Sequence, residues 1–247
     1  MMAPFHPPLS DARSAPDDVR VRGFAVLPPR ALSELAQARE GDFEGLEPSW
    51  DDLPADAYLR DGGRYRHRRH SCFVVDGEHV RQAPHRAHWQ SLDYNALHGG
   101  MLRMFEPVAP ATVAAPVWPA LLRGLGRWCS ALAGAQPWYV EAHQFRIDTA
   151  DGIGRPTPEG AHRDGVDFVA VILVSRHAIK GGETRVFEAN GPAGQRFTLH
   201  EPWSLLFLDD GLVIHESTPI QPATEGGHGH RDTLVLTFRA GGFQGEG

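Results

Sequence analysis

The sequence predicts a mainly β protein with flanking helices, an α+β chain whose second half forms a sandwich or barrel. After residue 137, seven short apolar runs follow one another and are separated by turn residues. Short strands at this density are typical of sandwiches and barrels. Before that point, residues 115–134 carry apolar positions at helical spacing and end in Gly134, a plausible C-cap. Single all-β domains often reach the length of this chain, 247 residues.

The first half of the chain mixes predicted loops, helices and strands. Residues 1–18 are rich in Pro, Ala and Asp, a composition that predicts disorder. The remaining residues, 19–247, are predicted to form one domain, with a helix-containing part up to about 137 and a β core over about 138–240. The predicted elements of the first part, in order, are a strand at 19–27, a helix at 29–40, a loop at 41–63, a strand at 64–76 and the helix at 115–134.

The seven runs of the second half are the predicted core strands. Their residues are 138–148, 166–175, 183–189, 196–200, 204–210, 212–218 and 232–240.

Composition and charge narrow the function classes. The formal net charge is −7, whereas nucleic-acid binders normally carry a basic surface, so we expect no nucleic-acid partner. Cys72 and Cys129 are the only cysteines and lack metal-type spacing, which fits a reducing compartment. The sequence has no signal-peptide pattern and no apolar run of about 18 residues. We therefore expect a cytoplasmic protein without a membrane partner; its oligomeric state is not indicated.

A histidine and a carboxylate begin the longest apolar run. His162 and Asp164 precede residues 166–174, and side chains two apart in a strand point to the same side. Both would therefore aim at one point, as two ligands of a metal ion do. A His-x-Asp pair alone is weak evidence, because such pairs are common on solvated loops.

A third ligand is needed, and His215 is the best placed candidate. It lies inside a predicted strand after the turn Asp209–Gly211, whereas the histidines at 177, 200, 228 and 230 lie at strand ends or in a Gly-rich loop. Two histidines and one carboxylate on one side of an iron leave its other side open, as in non-haem Fe(II) oxygenases. Taken alone, His215 would be a hydrogen-bonded core histidine.

The last predicted strand begins with a possible carboxylate anchor. Arg231 and Thr233 would share one side of that strand. A guanidinium binds a carboxylate through two parallel hydrogen bonds, and a neighbouring hydroxyl can add a third. This is what the distal carboxylate of 2-oxoglutarate requires. The alternative is that Arg231 begins the strand at the surface and pairs with Asp232 or with solvent.

These motifs closely resemble a known family. The segments 156–169, 181–184, 205–220 and 231–238 are similar to the bacterial 2-oxoglutarate- and Fe(II)-dependent dioxygenases that hydroxylate free L-amino acids, such as isoleucine 4-hydroxylase. The likeness extends upstream to residues 85–107 and 141–147. The resemblance covers roughly residues 60–240.

The resemblance implies a fold, ligands and a reaction. It implies a double-stranded β-helix (jelly roll) core, with His162, Asp164 and His215 as iron ligands and Arg231 as the 2-oxoglutarate anchor. It also implies that Fe(II), 2-oxoglutarate and O2 serve to hydroxylate an unactivated C–H bond, with release of succinate and CO2. Asp164 favours hydroxylation, since related halogenases lack this carboxylate.

Several other residues are candidates with structural alternatives. Gln144 and Arg146 would share one side of a core strand and reach cosubstrate or substrate, or simply pack. Glu159 would hold the ammonium group of an amino acid, or lie solvated in a loop. The basic stretch 64–70 is a solvated strand face or provides one arginine for a substrate carboxylate. The histidines at 85, 88 and 143 are interpreted as structural.

Three alternative functions stay open at this point. They are a peptide or natural-product precursor as the substrate of the same chemistry, a cupin-like metal-binding sensor without turnover, and a zinc hydrolase whose open side holds an activated water.

Overall fold

The computed structural model describes residues 6–39, 41–95 and 97–245. The helices of this part are α1 (Ala15–Arg22), α2 (Pro29–Ala36), α3 (Pro110–Ala114) and α4 (Val117–Ala133), together with a 3-10 helix at Glu44–Trp50. The strands are β1 (Phe24–Leu27), β2 (Arg66–Asp76), β3 (His79–Gln82), β4 (Trp138–Asp148), β5 (Phe168–His177), β6 (Ile179–Gly181), β7 (Thr184–Glu188), β8 (Gly194–Phe197), β9 (Leu205–Asp209), β10 (Val213–Ser217), β11 (Ile220–Pro222) and β12 (His230–Ala240).

The strands form one large sheet and two small ones. The large sheet has the order β1-β9-β5-β12-β4-β2-β3, a smaller sheet has the order β10-β7-β8, and β11 pairs with β6. Neighbouring strands run antiparallel. This mainly β architecture with a few helices is the expected double-stranded β-helix, or jelly roll.

Residues 168–174 of strand β5 are all apolar because both sides of the strand pack in hydrophobic cores. Phe168, Ala170 and Ile172 belong to the core that the helices share with the outer side of the large sheet. Val169 and Leu173 belong to a second core, between the large sheet and the β10-β7-β8 sheet. A strand buried on both sides reads as a continuous apolar run, not as an alternation.

The helices cover the outer side of the large sheet. The buried residues of α4 include Leu121, Leu122 and Leu125, at the three- and four-residue spacing of one helix side. Helices α2 and α4 approach so closely at Gly124 that a Cβ atom there would lie 2.6 Å from the carbonyl oxygen of Leu35. A glycine is therefore required at this crossing.

The interior of the roll is filled over only half of its length. The second core packs side chains from β1, β5 and β9 against Val186, Phe197 and Val213 of the smaller sheet. Beyond this packed half, the inner sides of β2, β4 and β12 line a cavity.

Several predicted boundaries differ from the structure. Residues 19–22, predicted as strand, complete α1, and the strand begins at Phe24 after Gly23, which adopts a left-handed φ of 77°. Part of the segment predicted to be disordered is ordered, since Ala15 and Val19 bury one side of α1; residues 1–5 lie outside the described residues. The predicted loop 41–63 contains the 3-10 helix.

Strands from the first half of the chain complete the large sheet. Strands β1, β2 and β3 join strands of the predicted core 138–240 in one sheet. Strands β3, β6 and β11 are short and were not predicted. In the part of the chain that the structure describes, no helix combines the length and apolarity that a membrane crossing requires.

Candidate active site

The cavity lies between the two sheets and has an empty volume, including its open mouth, of about 980 Å³. Its walls come from the inner sides of β2, β4, β5, β12 and β10, from two segments that close it, 88–103 and 156–166, and from Gln244 near the C-terminus. Concave sites of this size suit small ligands.

His162, Asp164 and His215 converge in this cavity. The Nε2 atom of His162 lies 3.9 Å from Oδ1 of Asp164, and Nε2 of His215 lies 3.7 Å from Oδ2 of the same carboxylate. One ligand atom from each residue lies within 4.8 Å of the others. The structure thus brings together the three residues that the sequence singled out.

Backbone pairing fixes the two histidines. His162 and His215 form an isolated antiparallel bridge outside the named sheets. Strand β10 holds His215 against Val186 of β7, so the loop that carries His162 is attached to the smaller sheet. The two imidazole rings then lie 4.7 Å apart, centroid to centroid.

Each imidazole keeps a nitrogen free for a metal ion. The Nδ1 atom of His162 donates to the carbonyl oxygen of Gly160 at 2.9 Å, which leaves Nε2 as the nitrogen that faces Asp164 and that a metal ion would take once its proton is released. Burial lowers the pKa of His215 well below its ordinary range, and His162 lowers it further. His215 is therefore neutral, as a metal ligand must be.

Asp210 holds the loop that carries Asp164. Its carboxylate is fully buried and accepts hydrogen bonds from the backbone N–H groups of Asp164, Gly165 and Val166, at 2.9, 2.8 and 3.2 Å. Gly165 adopts a left-handed φ of 77°, and a Cβ atom there would lie 2.4 Å from the Tyr94 ring. A glycine is therefore required in this turn.

The donor set fits iron. Two imidazole nitrogens and one carboxylate form the facial triad of non-haem Fe(II) oxygenases. Among the described residues, the side-chain hydrogen-bond donor to the Asp164 carboxylate is Nε2 of Gln90, at 3.4 Å from Oδ1. Most of its capacity to accept is therefore left for a cation.

Arg231 and Thr233 lie on the cavity side of β12, together with Val235 and Thr237. Arg231 is buried, and its Nε atom has no hydrogen-bond partner. Burial lowers its pKa to about 10, so it stays charged. Among the described residues no carboxylate forms an ion pair with Arg231, which fits a site for a ligand carboxylate. The surface pairing with Asp232 is not seen.

Gln144 and Arg146 do not reach the cavity. On β4 the odd-numbered residues 141, 143, 145 and 147 line it, so the even-numbered ones point to the opposite side. Arg146 forms a two-pronged ion pair with Asp232, with both N···O distances 2.8 Å. Gln144 donates to Oγ of Ser49 at 2.7 Å. Of the two alternatives for Gln144 and Arg146, the structure therefore supports packing and not contact with cosubstrate or substrate.

Glu159 is a largely buried loop carboxylate beside the candidate metal site. Its Oε1 lies 3.6 Å from Nδ1 of His162, and its Oε2 is buried without a hydrogen-bond partner. The solvated alternative for Glu159 is therefore excluded.

A histidine cluster lies on the β2–β4 wall and was not predicted as a unit. His70 Nε2 and His88 Nδ1 lie 2.8 and 2.7 Å from Oε2 of Glu141. His143 accepts a 2.7 Å hydrogen bond from Arg68 Nη2 through Nδ1. The ring nitrogens of His70 and His88 thus satisfy Glu141, which supports the structural interpretation of His88 and His143.

Three arginines on the cavity wall are the main residues that the sequence did not single out. Arg66 and Arg68 share the inner side of β2, and Arg103 is the last residue of the closing segment 88–103; all three are buried. The alternation of the stretch 64–70 could have indicated two of them, since every second residue of a strand faces inward. Arg103 has no such pattern around it.

Comparisons with known proteins give the family. Residues 47–237 match the family described as 2OG-Fe dioxygenase. The chain is 50% identical to a bsmA homolog from Methylobium petroleophilum PM1, over 99% of each chain and with a TM-score of 0.91. No curated protein matches it.

Two more distant structures share the fold alone. They are IDO from Bacillus thuringiensis (19% identity, 92% of this chain and 98% of that chain, TM-score 0.75) and TqaL, an Fe(II)/α-ketoglutarate-dependent dioxygenase (17% identity, 92% of this chain and 86% of that chain, TM-score 0.72). The chain belongs to the 2OG-Fe dioxygenase family, oxidoreductases that use Fe(II), 2-oxoglutarate and O2.

Proposed function

We propose that the protein hydroxylates an unactivated C–H bond of a free L-amino acid and releases succinate and CO2. The observation that carries this proposal is the convergence of His162, Asp164 and His215 in the cavity that also contains the unpaired Arg231. A sensor without turnover has no need of a metal with open positions beside a carboxylate anchor.

His162, Asp164 and His215 would hold the iron. When bound, Fe(II) supplies O2 activation coupled to decarboxylation of 2-oxoglutarate, which provides the oxidant for the C–H bond. The backbone bridge between the histidines and the grip of Asp210 on the Asp164 loop fix the three donors before a metal arrives. Such fixed positions are what a metal site requires for strong binding.

Arg231 would bind the distal carboxylate of 2-oxoglutarate. Its guanidinium lines the cavity without a carboxylate partner, and a guanidinium pairs with a carboxylate through two parallel hydrogen bonds. Thr233, two residues on and on the same wall, would add a hydroxyl donor. The backbone of Thr233 is held separately, since its carbonyl oxygen accepts from Trp50 Nε1 at 3.3 Å.

Glu159 supports an amino acid as the substrate. A buried carboxylate oxygen without a donor, facing a cavity, is costly unless a ligand donor reaches it. An ammonium group offers three such donors. The position of Glu159 next to His162 would place the substrate beside the metal.

A screen of the proteinogenic L-amino acids tests the proposal. Substrate-dependent succinate release, together with a mass gain of one oxygen in the amino acid, is the expected result. Succinate release only with peptides or with natural-product precursors would show the same chemistry on another substrate and contradict the free amino acid. Anaerobic protein with Fe(II) and 2-oxoglutarate should absorb visible light, whereas a zinc hydrolase would give no such colour.

A further inference from the structure

Arg103 is a second buried arginine without a partner in the same cavity. It is 2% exposed, and neither Nε nor Nη2 has a hydrogen-bond partner. No carboxylate in the described part of the chain forms an ion pair with it. Burial lowers its pKa to about 10, which leaves it cationic at neutral pH. Buried N–H donors of this kind are costly unless a ligand acceptor reaches them.

Arg66 and Arg68 flank the same site and are locked in place. Arg66 Nε donates to Oδ2 of the fully buried Asp56 at 2.8 Å, and Arg68 Nη1 lies 3.9 Å from that oxygen. Each of the two arginines keeps an unpartnered N–H, at Nη2 of Arg66 and at Nε of Arg68.

Two aromatic rings fix the Arg68 guanidinium. Its Cζ lies 3.8 Å from the ring centroid of Phe105 and 4.4 Å from that of Phe145. Stacking on aromatic faces holds a guanidinium without using its N–H groups. The Arg68 guanidinium therefore cannot turn away to satisfy its Nε elsewhere.

The charges of this end of the cavity favour a monoanion that also carries a positive group. Asp56 offsets one of the three guanidinium charges, and Glu141 and Glu159 lie close enough to Arg103 to raise its pKa. The three cations thus face three carboxylates. A zwitterion keeps this balance, whereas a phosphate dianion would not.

We propose that Arg103, with the free N–H groups of Arg66 and Arg68, forms the pocket that binds the carboxylate of the substrate. This inference rests on the proposed function, since it assigns the carboxylate that is attached to the same Cα as the ammonium group that Glu159 would bind. The cavity then holds two carboxylates in two separate places, that of 2-oxoglutarate at Arg231 and that of the substrate at Arg103.

Calorimetry of the anaerobic protein with Fe(II) and 2-oxoglutarate tests this pocket without turnover. The probes are the proteinogenic L-amino acids, the amide of each one that binds, the 2-hydroxy acid analogues and inorganic phosphate. In the wild type we expect an amino acid to bind and its amide to bind at least about 30-fold more weakly, the loss typical of one side of a buried charged pair. Phosphate should neither bind nor compete.

Variants assign the effect to Arg103. Arg103→Gln should weaken amino-acid binding at least about 30-fold and abolish the difference between acid and amide. Arg103→Lys should recover part of the affinity, because lysine keeps the charge but not the two-pronged geometry. The matched control is Arg64→Gln, in the same basic stretch but exposed and paired with Asp151. Binding of 2-oxoglutarate, followed by visible absorption, should be unchanged in all three.

The outcomes separate this pocket from the proposed function. Hydroxy acids that bind in an Arg103-dependent way, without any amino acid binding, would support the pocket and contradict the amino-acid substrate. Equal binding of acid and amide by the wild type overturns the pocket, even if Arg103→Gln fails to fold. Wild-type affinity in Arg103→Gln, competition by phosphate, or no binding of either acid panel also overturns it.

Discussion

His162 and His215 lie directly opposite each other, and each donates its backbone N–H to the carbonyl oxygen of the other at 3.0 Å. The two residues are far apart in sequence and belong to a loop and to the smaller sheet. This reciprocal pair registers the long loop 149–167 against β10, together with the two hydrogen bonds between the Thr157 hydroxyl and the backbone of Ser217. Hydrogen-bonded pairs of this type keep both side chains on the same side of the ladder, so the backbone itself sets the distance between the imidazoles.

Loss of any one of the three proposed iron ligands should abolish turnover. His162→Ala, Asp164→Ala and His215→Ala each remove one of the three proposed metal ligands, and an alanine side chain cannot replace it. We expect Fe(II) binding to fall sharply in each variant while the thermal unfolding midpoint of the metal-free protein stays near that of the wild type. Near wild-type activity in any of them would contradict the assignment.

Arg231→Ala should raise the KM for 2-oxoglutarate. The loss of one side of a buried charged pair costs on the order of 2–5 kcal/mol, about 30- to several-thousand-fold in affinity. Arg231→Lys should recover part of this, and Thr233→Ala should cost roughly 0.5–1.5 kcal/mol. Fe(II) affinity, measured separately, should not change. A 2-oxoglutarate dependence like that of the wild type would rule Arg231 out as the anchor.

Arg146→Ala, in contrast to Arg231→Ala, should lower the stability of the protein and leave the KM for 2-oxoglutarate unchanged. Asp232 is buried and would lose its main partner. The expected cost is roughly 2–4 kcal/mol of unfolding free energy, somewhat below a fully buried pair because Arg146 is partly exposed. Denaturant unfolding measures this loss. The KM for 2-oxoglutarate should stay unchanged, and a rise without loss of stability would show that Arg146 reaches the cosubstrate.

Asp210→Asn should weaken iron binding without removing a ligand. The oxygen of the asparagine amide can still accept from some of the backbone N–H groups of residues 164–166. The NH2 group of the amide, however, would face at least one of these N–H donors and could not accept from it. Groups that orient metal ligands typically change metal affinity by about 10- to 100-fold. An Fe(II) titration of the folded variant measures this. Asp209→Asn, the same change one residue earlier, should leave the affinity unaltered, and an equal loss in both would contradict a specific role.

Acidification should destabilise the metal-free protein through His88. Burial lowers the pKa of His88 to about 4, whereas a histidine of the unfolded chain titrates near 6.5. The unfolded state therefore binds the proton first, and stability falls as the pH drops from about 6.5 to about 4. A shift of this size corresponds to about 3 kcal/mol. His88→Gln should reduce the slope of unfolding free energy against pH in this window; an unchanged slope would contradict the role.

Local patterns predicted most of the strands because strand patterns depend on short-range order, whereas the candidate metal site also needs the long-range pairing of His162 with His215. The period-two rule places Arg231 beside Thr233 on β12 and the two faces of β5 in apolar cores. His162 and Asp164 converge as expected, but they lie in the loop before β5 and not in a strand, so the reason for that expectation was wrong. The same rule, applied to β4, would have placed Arg146 on the side away from the cavity, because the odd-numbered residues of β4 line it. This assignment requires knowing that His143 faces inward, and the sequence around β4 does not show which of its two sides faces the cavity.

The site residues that the sequence did not indicate are positioned by contacts between segments that are distant in the chain. Arg103 lies in a segment without periodicity, and its position follows from a single backbone bridge to His88. Asp210 is interpreted from the sequence as a turn residue, since an Asp-Gly pair is a common turn signal. Its hydrogen bonds to the backbone N–H groups of residues 164–166 form only because the fold brings the end of β9 next to the loop before β5. The first predicted strand began too early because α1 has few apolar residues and its end is marked only by Gly23.

The half-filled roll separates the residues that govern folding from those that govern selectivity. The packed half draws on β1, β9, β7 and β8, and none of these strands contributes to the cavity walls. Val166, Val171 and Val235 mark the border, since they touch both the packed half and the cavity. Thr157 belongs to the residues to be kept, because its Oγ1 donates to the carbonyl oxygen of Ser217 at 3.0 Å and accepts from the Ser217 N–H at 3.1 Å. A library varied at Pro156 of the segment 156–166, with Thr157 and these valines kept, would therefore change the cavity wall while leaving the packed part of the roll intact.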